Sequence, residues 1–111
     1  MRYEIIFAPE ADQDIAELKA RDRAKVLDAI ELHLRFEPEK VSKSRIKRLK
    51  NLAWPQYRLR IDDLRAFYDV TYKINQGVVE ILAIKKKSDA IKLLIQFGKV
   101  ADNETGPSKP S

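Results

Sequence analysis

The sequence predicts an α+β domain: an N-terminal strand, an αα-hairpin, an antiparallel sheet and a short C-terminal helix. Three observations predict it. Residues alternate through Tyr57–Ile61, with Tyr57, Leu59 and Ile61 on one side and Arg58 and Arg60 on the other. The alternation resumes after Asp62-Asp63, which makes the segment a β-hairpin with one buried face. Apolar residues at helical spacing fill the stretch from Ala11 to Leu34, whereas Val78–Ile84, apolar except for Glu80, is typical of a strand buried on both faces. A chain of 111 residues builds one such core and not two, so the domain is placed at 1–98 and the polar tail 99–111 is expected to be disordered.

Each element has its own signal. Tyr3–Phe7 is a β-branched and aromatic run and reads as the first strand. Pro9 opens a helix, where its missing N–H costs nothing, and Glu10, Asp12 and Asp14 favour the positive end of its dipole. Ala11, Ile15 and Leu18 form its apolar stripe. Asp22 is expected to cap a second helix reaching about Phe36, with Val26, Leu27, Ile30 and Leu34 facing the sheet and Pro38 ending it. His33 sits beside that stripe as a packing residue. From Lys40 to Leu52 the chain is irregular, with Ile46, Leu49 and Leu52 pinning a loop or short strand to the domain edge. Trp54 either staples this loop or stacks on a base. After the hairpin, in which Tyr57, Tyr68 and Tyr72 are expected to share the core face, Asn75-Gln76-Gly77 turns the chain into the last strand. Ser88-Asp89 is expected to cap a helix over Ala90–Phe97 whose stripe is Ile91, Leu94 and Ile95.

The charge is distributed unevenly. Residues 1–39 hold six Lys/Arg against ten Asp/Glu, whereas residues 40–61 hold eight Lys/Arg and no carboxylate. Such a block is either a solvated face or the footprint of a nucleic-acid surface. Lys43, Arg45, Lys47, Arg48 and Lys50 are its candidate RNA- or ribosome-binding residues. The hairpin brings Arg58, Arg60 and Arg65 towards one face near its turn, where three guanidiniums repel one another until an anion relieves them. That makes the hairpin a candidate phosphate site.

Other chemistries find no footing. The chain has no cysteine, so disulfides and thiolate metal sites are excluded, and no His/Asp/Glu cluster has metal-ligand spacing. Three glycines cannot build a glycine-rich phosphate loop. No cofactor is expected. No apolar run approaches the roughly 18 residues of a membrane span, so a cytoplasmic location is expected.

A short strand, a helical hairpin, a basic loop, Y-R-L-R at 57–60, R-x-F-Y at 65–68 and a strand ending in lysines together resemble the RelE/ParE toxin superfamily. The resemblance spans about residues 2–97 and implies the RelE-like fold and a toxin of a type II toxin–antitoxin pair. It further implies a small acidic antitoxin that wraps the toxin, and operator DNA bound only through that antitoxin. The RelE branch cleaves messenger RNA in the ribosomal A site; the ParE branch poisons DNA gyrase and catalyses nothing. In the RelE pattern, Arg58, Arg60, Arg65 and Lys87, with Lys86 before it, fall at the family's catalytic basic positions. Ile91 stands where many relatives carry a tyrosine.

Metal-free RNA cleavage needs a base for the ribose 2′-OH, cations for the pentacoordinate phosphate and an acid for the leaving 5′-oxygen. Guanidinium forks suit the second task. This region has no histidine, so Lys86 or Lys87 is the expected proton donor, and the base is expected to be a lysine of lowered pKa or a tyrosine near the site. Ribosome-dependent messenger RNA cleavage is thus the leading expectation, gyrase inhibition without catalysis the alternative, and an attenuated toxin acting through its antitoxin complex a third.

Overall fold

The computed structural model describes residues 1–50 and 55–95. Leu52, Trp54, the expected helix end at Phe97 and the tail 99–111 lie outside the described residues. The order is β1 (Glu4–Phe7), α1 (Pro9–Ala16), α2 (Ala20–Leu34), β2 (Ile46–Arg48), β3 (Tyr57–Ile61), β4 (Leu64–Lys73) and β5 (Gln76–Lys86). A last helix, α3, occupies 87–95. One five-stranded sheet runs β1-β5-β4-β3-β2, antiparallel except for the parallel pair β1–β5. Among the described residues no helix is long and apolar enough to cross a membrane.

The sheet carries a core on each face. On one, α1 and α2 press Ala11, Val26, Ile30 and Leu34 against Leu59, Ala66, Tyr68, Val79 and Ile81. On the other, a small cluster of Phe67, Ala83, Ala90 and Leu93 seats α3. The second cluster exists because of a β-bulge. Phe67 pairs with Ala83 but Tyr68 pairs with Ile81, leaving Leu82 as the extra residue. The bulge reverses the alternation of β5, so Ile81 faces α1 and α2 whereas Ala83 faces α3.

Where β1 stops, α1 takes over the edge of β5. Asp14 Oδ2 accepts the Ile84 N–H at 2.9 Å, and Asp14 Oδ1 and Glu10 Oε2 each lie 3.1 Å from Lys85 Nζ. Burial alone would push the Lys85 ammonium down, but its hydrogen bonds to Asp14 and Glu10 outweigh that and raise its pKa. Four tyrosines hold the chain leaving α2. Tyr68 Oη donates to the Pro38 carbonyl at 2.5 Å, Tyr57 Oη to Glu39 at 3.4 Å, and Tyr72 Oη also donates to Glu39 while meeting Tyr3 Oη at 3.1 Å.

Several local expectations need correction. Asp22 is not a cap: α2 starts one turn earlier, after Lys19, with no side-chain cap, and ends at Leu34. Leu27 lies at the rim, 40 % exposed. The β4–β5 turn is Ile74-Asn75, with Asn75 at φ 62°, and Gln76 and Gly77 already belong to β5. Gly77 is required there by packing, since a Cβ would meet the Tyr3 ring at 2.5 Å. Tyr72 is 55 % exposed and lies beyond the core that buries Tyr57 and Tyr68. Ser88 and Asp89 sit inside α3, not before it. Its buried positions are Ala90 and Leu93, with Leu94 alongside, while Ile91 and Ile95 are 66 % and 56 % exposed. Both stripes satisfy helical spacing; the small patch of Phe67 and Ala83 selects the one led by alanine.

Candidate functional site

The register of the hairpin assembles the cations. Arg60 lies opposite Arg65, while Arg58 lies opposite Phe67 on one side and Lys47 on the other. Directly paired residues share a face, so these four cations stand on the α3 side of the sheet. There they line a depression of about 520 Å³ with Lys43 and Lys87, bordered by Val41, Ser42 and Ser44. The Ser42 hydroxyl accepts the N–H groups of Arg45 and Ile46, shaping the loop that carries Lys43.

The two deepest arginines differ in their partners. Arg65 is only 6 % exposed, and its Nη1 donates to the carbonyls of Asp62 and Leu64 at 2.7 and 2.9 Å. Arg58 Nε is buried and has no hydrogen-bond partner. Burial first, then the charges of Arg65 and Arg60, weaken the hold of Arg58 on its proton. Burial and the charge of Arg60 do the same to Arg65, opposed by Asp63. Among the described residues no carboxylate lies within salt-bridge distance of Arg58, Arg60 or Arg65.

The hairpin turn orients the site. Asp62 adopts φ 54°, a conformation aspartate tolerates better than most residues, and its carboxylate meets Lys25 Nζ of α2 at 2.8 Å. Its carbonyl aims Arg65, and the Asp63 carbonyl accepts the Lys87 N–H at 2.8 Å where α3 begins.

The structure separates the other expected site residues. Lys86 pairs with Leu64, on the opposite face from the arginines, and lines a different cavity of about 450 Å³ with Asp63, Lys87, Ser88 and Ile91. The β5 bulge sets that phase. Arg45 lines an adjoining cavity with Ser44, Arg60 and Asp62. Arg48 points elsewhere: it donates to the Gln56 carbonyl at 2.9 Å and lies 5.0 Å from the Tyr57 ring centre. Lys50 is exposed and does not line the depression. His33 is half-buried in a surface cleft beside Phe36 and Arg45. Ser42, Ser44 and the two turn carbonyls carry no signal in the sequence, because their roles follow from backbone geometry.

The arrangement can bind and stabilise a phosphate through a fan of guanidinium donors. It offers little for proton transfer. No aspartate, glutamate, histidine or tyrosine is among the described residues lining the depression. Nor do the described residues include a cluster of His, Asp and Glu that could hold a metal ion.

Residues 5–91 match the protein family described as the ParE toxin of the type II toxin–antitoxin system parDE. The chain belongs to this toxin family. No curated protein sequence matches it. Among solved structures it is similar to the archaeal RelE–RelB complex from Pyrococcus horikoshii, with 23 % identity, TM-score 0.61, and coverage of 78 % of this chain and 97 % of that one. It is also similar to the RelBE2 toxin–antitoxin complex of Mycobacterium tuberculosis, with 23 % identity, TM-score 0.56 and coverage of 78 % and 99 %. A third likeness is the YoeB/ParE toxin of Agrobacterium tumefaciens, with 17 % identity, TM-score 0.56 and coverage of 75 % and 97 %. At these identities the likeness establishes the fold, which in this toxin presents the arginine depression on the α3 face.

Proposed function

We propose that this toxin is a ribosome-dependent endoribonuclease that cleaves messenger RNA in the A site. The ribose 2′-OH loses its proton to water as its oxygen attacks the adjacent phosphorus, forming a cyclic phosphate as the bond to the 5′-oxygen breaks. Arg58, Arg60 and Arg65 hold the phosphate and balance the charge that grows on its oxygens. Lys87 stands at the rim, where an ammonium can protonate the departing 5′-oxygen. The observation that carries this reading is the buried, partnerless Nε of Arg58 in a depression lined by six cations. A buried donor without a partner costs about 1–3 kcal/mol, and a phosphate oxygen would remove that penalty. This reading gives no part in the chemistry to Lys86, which pairs with Leu64.

Two of the similar structures are complexes of a toxin with its antitoxin. By that likeness the partner of this chain is a small antitoxin, and an acidic one suits the exposed basic face. A cytoplasmic location fits a ribosomal target.

Gyrase inhibition without catalysis is the second reading. It is favoured by the family matched and by a depression lined by cations without a carboxylate, histidine or tyrosine base. One experiment separates the two. The purified protein is added to a translating extract and messenger RNA ends are mapped by primer extension, while gyrase–DNA complexes are trapped in parallel. Ends at A-site codons establish the nuclease; covalently trapped gyrase on linearised DNA establishes the inhibitor.

A further inference from the structure

The arginine depression does not end at the hairpin. Ser44 and Arg60 also border a smaller cavity of about 210 Å³ with Arg45 and Asp62. Arg45 then borders a cleft of about 280 Å³ at the end of α2, lined among others by His33, Phe36 and Lys40. The three share lining residues and so form one trough. Two carboxylates edge it, and each has a cation of its own: Asp62 meets Lys25 at 2.8 Å and Glu37 meets Lys40 at 3.8 Å. Among the described residues none lies within salt-bridge distance of Arg45 or Arg60. The trough is therefore positive along its length.

Its far end displays an aromatic ring. Phe36 is 60 % exposed, and anchors on both sides keep it so. On one side, the Arg35 carbonyl accepts the Tyr3 N–H at 2.7 Å and Arg35 Nη1 donates to the Tyr3 carbonyl at 2.9 Å. On the other, buried Pro38 accepts the Tyr68 hydroxyl at 2.5 Å. The ring is held outward by the fold. Burial and the charge of Arg45 lower the pKa of His33, so near neutrality its imidazole can both donate and accept.

A cationic groove ending in an exposed aromatic is how proteins hold single-stranded nucleic acid, with phosphates on the cations and a base on the ring. We propose that an extended single-stranded RNA lies along this trough, its backbone passing from the arginine depression over Arg45 and one unstacked base resting on Phe36. The proposal rests on the reading of the depression as an RNA phosphate site. Leu32 and Val41 are also exposed here, so a protein segment is the competing occupant. Arg60 and Arg45, neither paired with a carboxylate among the described residues, lead from the depression into the cleft and favour RNA.

The test measures fluorescence anisotropy of a labelled 12-nucleotide uridine oligomer against the full chain, across a salt series. Phe36→Leu keeps apolar bulk but removes the aromatic face, and should weaken binding about tenfold; Phe36→Trp should retain it. Arg45→Ala should weaken binding and flatten the slope of the salt dependence by about 0.7, the share of one phosphate on a single strand. Thermal melts should match the wild type, because Phe36 is exposed. Equal affinity of Phe36→Leu and wild type overturns the proposal and leaves the cleft to a protein partner, for which leucine is an adequate anchor. Absence of any binding by the wild type overturns it too. Failure of the depression itself reads differently: Arg58→Ala would then bind like wild type while Phe36→Leu still loses affinity.

Discussion

Arg58→Met should make the protein more stable and harmless at once. Arg58 is half-buried, its Nε has no partner, and no hydrogen bond from its side chain is present among the described residues. Methionine keeps the apolar stem packed beside Phe67 while removing the orphaned donor and the repulsion from Arg60 and Arg65. An unsatisfied buried donor costs about 1–3 kcal/mol, so the substitution should gain about 1–2 kcal/mol after small packing losses. For a domain of this size each kcal/mol raises Tm by about 4–8 °C. The sign with pH follows from the depressed pKa. Folding is penalised wherever Arg58 is charged, and arginine keeps its charge over the whole working range even with its pKa lowered by burial and by Arg65 and Arg60. The gain should therefore be flat from acid to neutral pH. Toxicity should disappear, since loss of one preorganised donor costs on the order of 10²-fold or more in rate. Urea denaturation and induced-expression growth curves measure the two halves. Destabilisation by more than about 1 kcal/mol would refute the reasoning, because it would mean that Arg58 has a structural partner and is not held open for a ligand.

Three further outcomes are expected. Lys87→Ala should lower cleavage more than tenfold whereas Lys86→Ala leaves it near wild type, as read by single-turnover cleavage on programmed ribosomes; equal losses would contradict the placement of Lys86 on the opposite face. Neutralising Lys43, Lys47 and Lys50 together should flatten the salt dependence of ribosome sedimentation, by roughly 0.7–0.9 in slope for every phosphate these lysines neutralise. Asp14→Ala should destabilise by about 1–3 kcal/mol, since it orphans the Ile84 N–H and removes a partner of Lys85. Because the folded pKa of Lys85 is raised, the ion-pair share of that loss is present below the ordinary lysine range and fades as pH climbs through the raised value, which denaturation at neutral and alkaline pH would reveal.

The hairpin was legible because period-2 alternation is local: Arg58, Arg60 and Arg65 could be placed on one face from the residues alone, and the register puts them there. The phase of β5 was not. Nothing in VVEILAI marks Leu82 as an inserted residue, and the bulge decides which of Lys85, Lys86 and Lys87 reaches the arginines. The same blindness affected α3. Two apolar stripes fit its spacing, and Phe67 on the facing strand selects between them. The turn carbonyls that aim Arg65 and fix the start of α3 leave no side-chain signature at all. The cleft at Phe36 did leave one, an aromatic between Arg35 and Pro38, but helical periodicity absorbed it into α2.

The central claim is that the arginine depression holds a phosphate undergoing attack by its neighbouring 2′-OH. Single-turnover cleavage of messenger RNA on programmed ribosomes, with and without one 2′-deoxy nucleotide before the cut, tests it most directly. The expected result is cleavage by the wild type, none at the 2′-deoxy position, and a loss on the order of 10²-fold or more for Arg58→Met. Cleavage that persists through the 2′-deoxy nucleotide, or a wild-type rate for Arg58→Met, would contradict it.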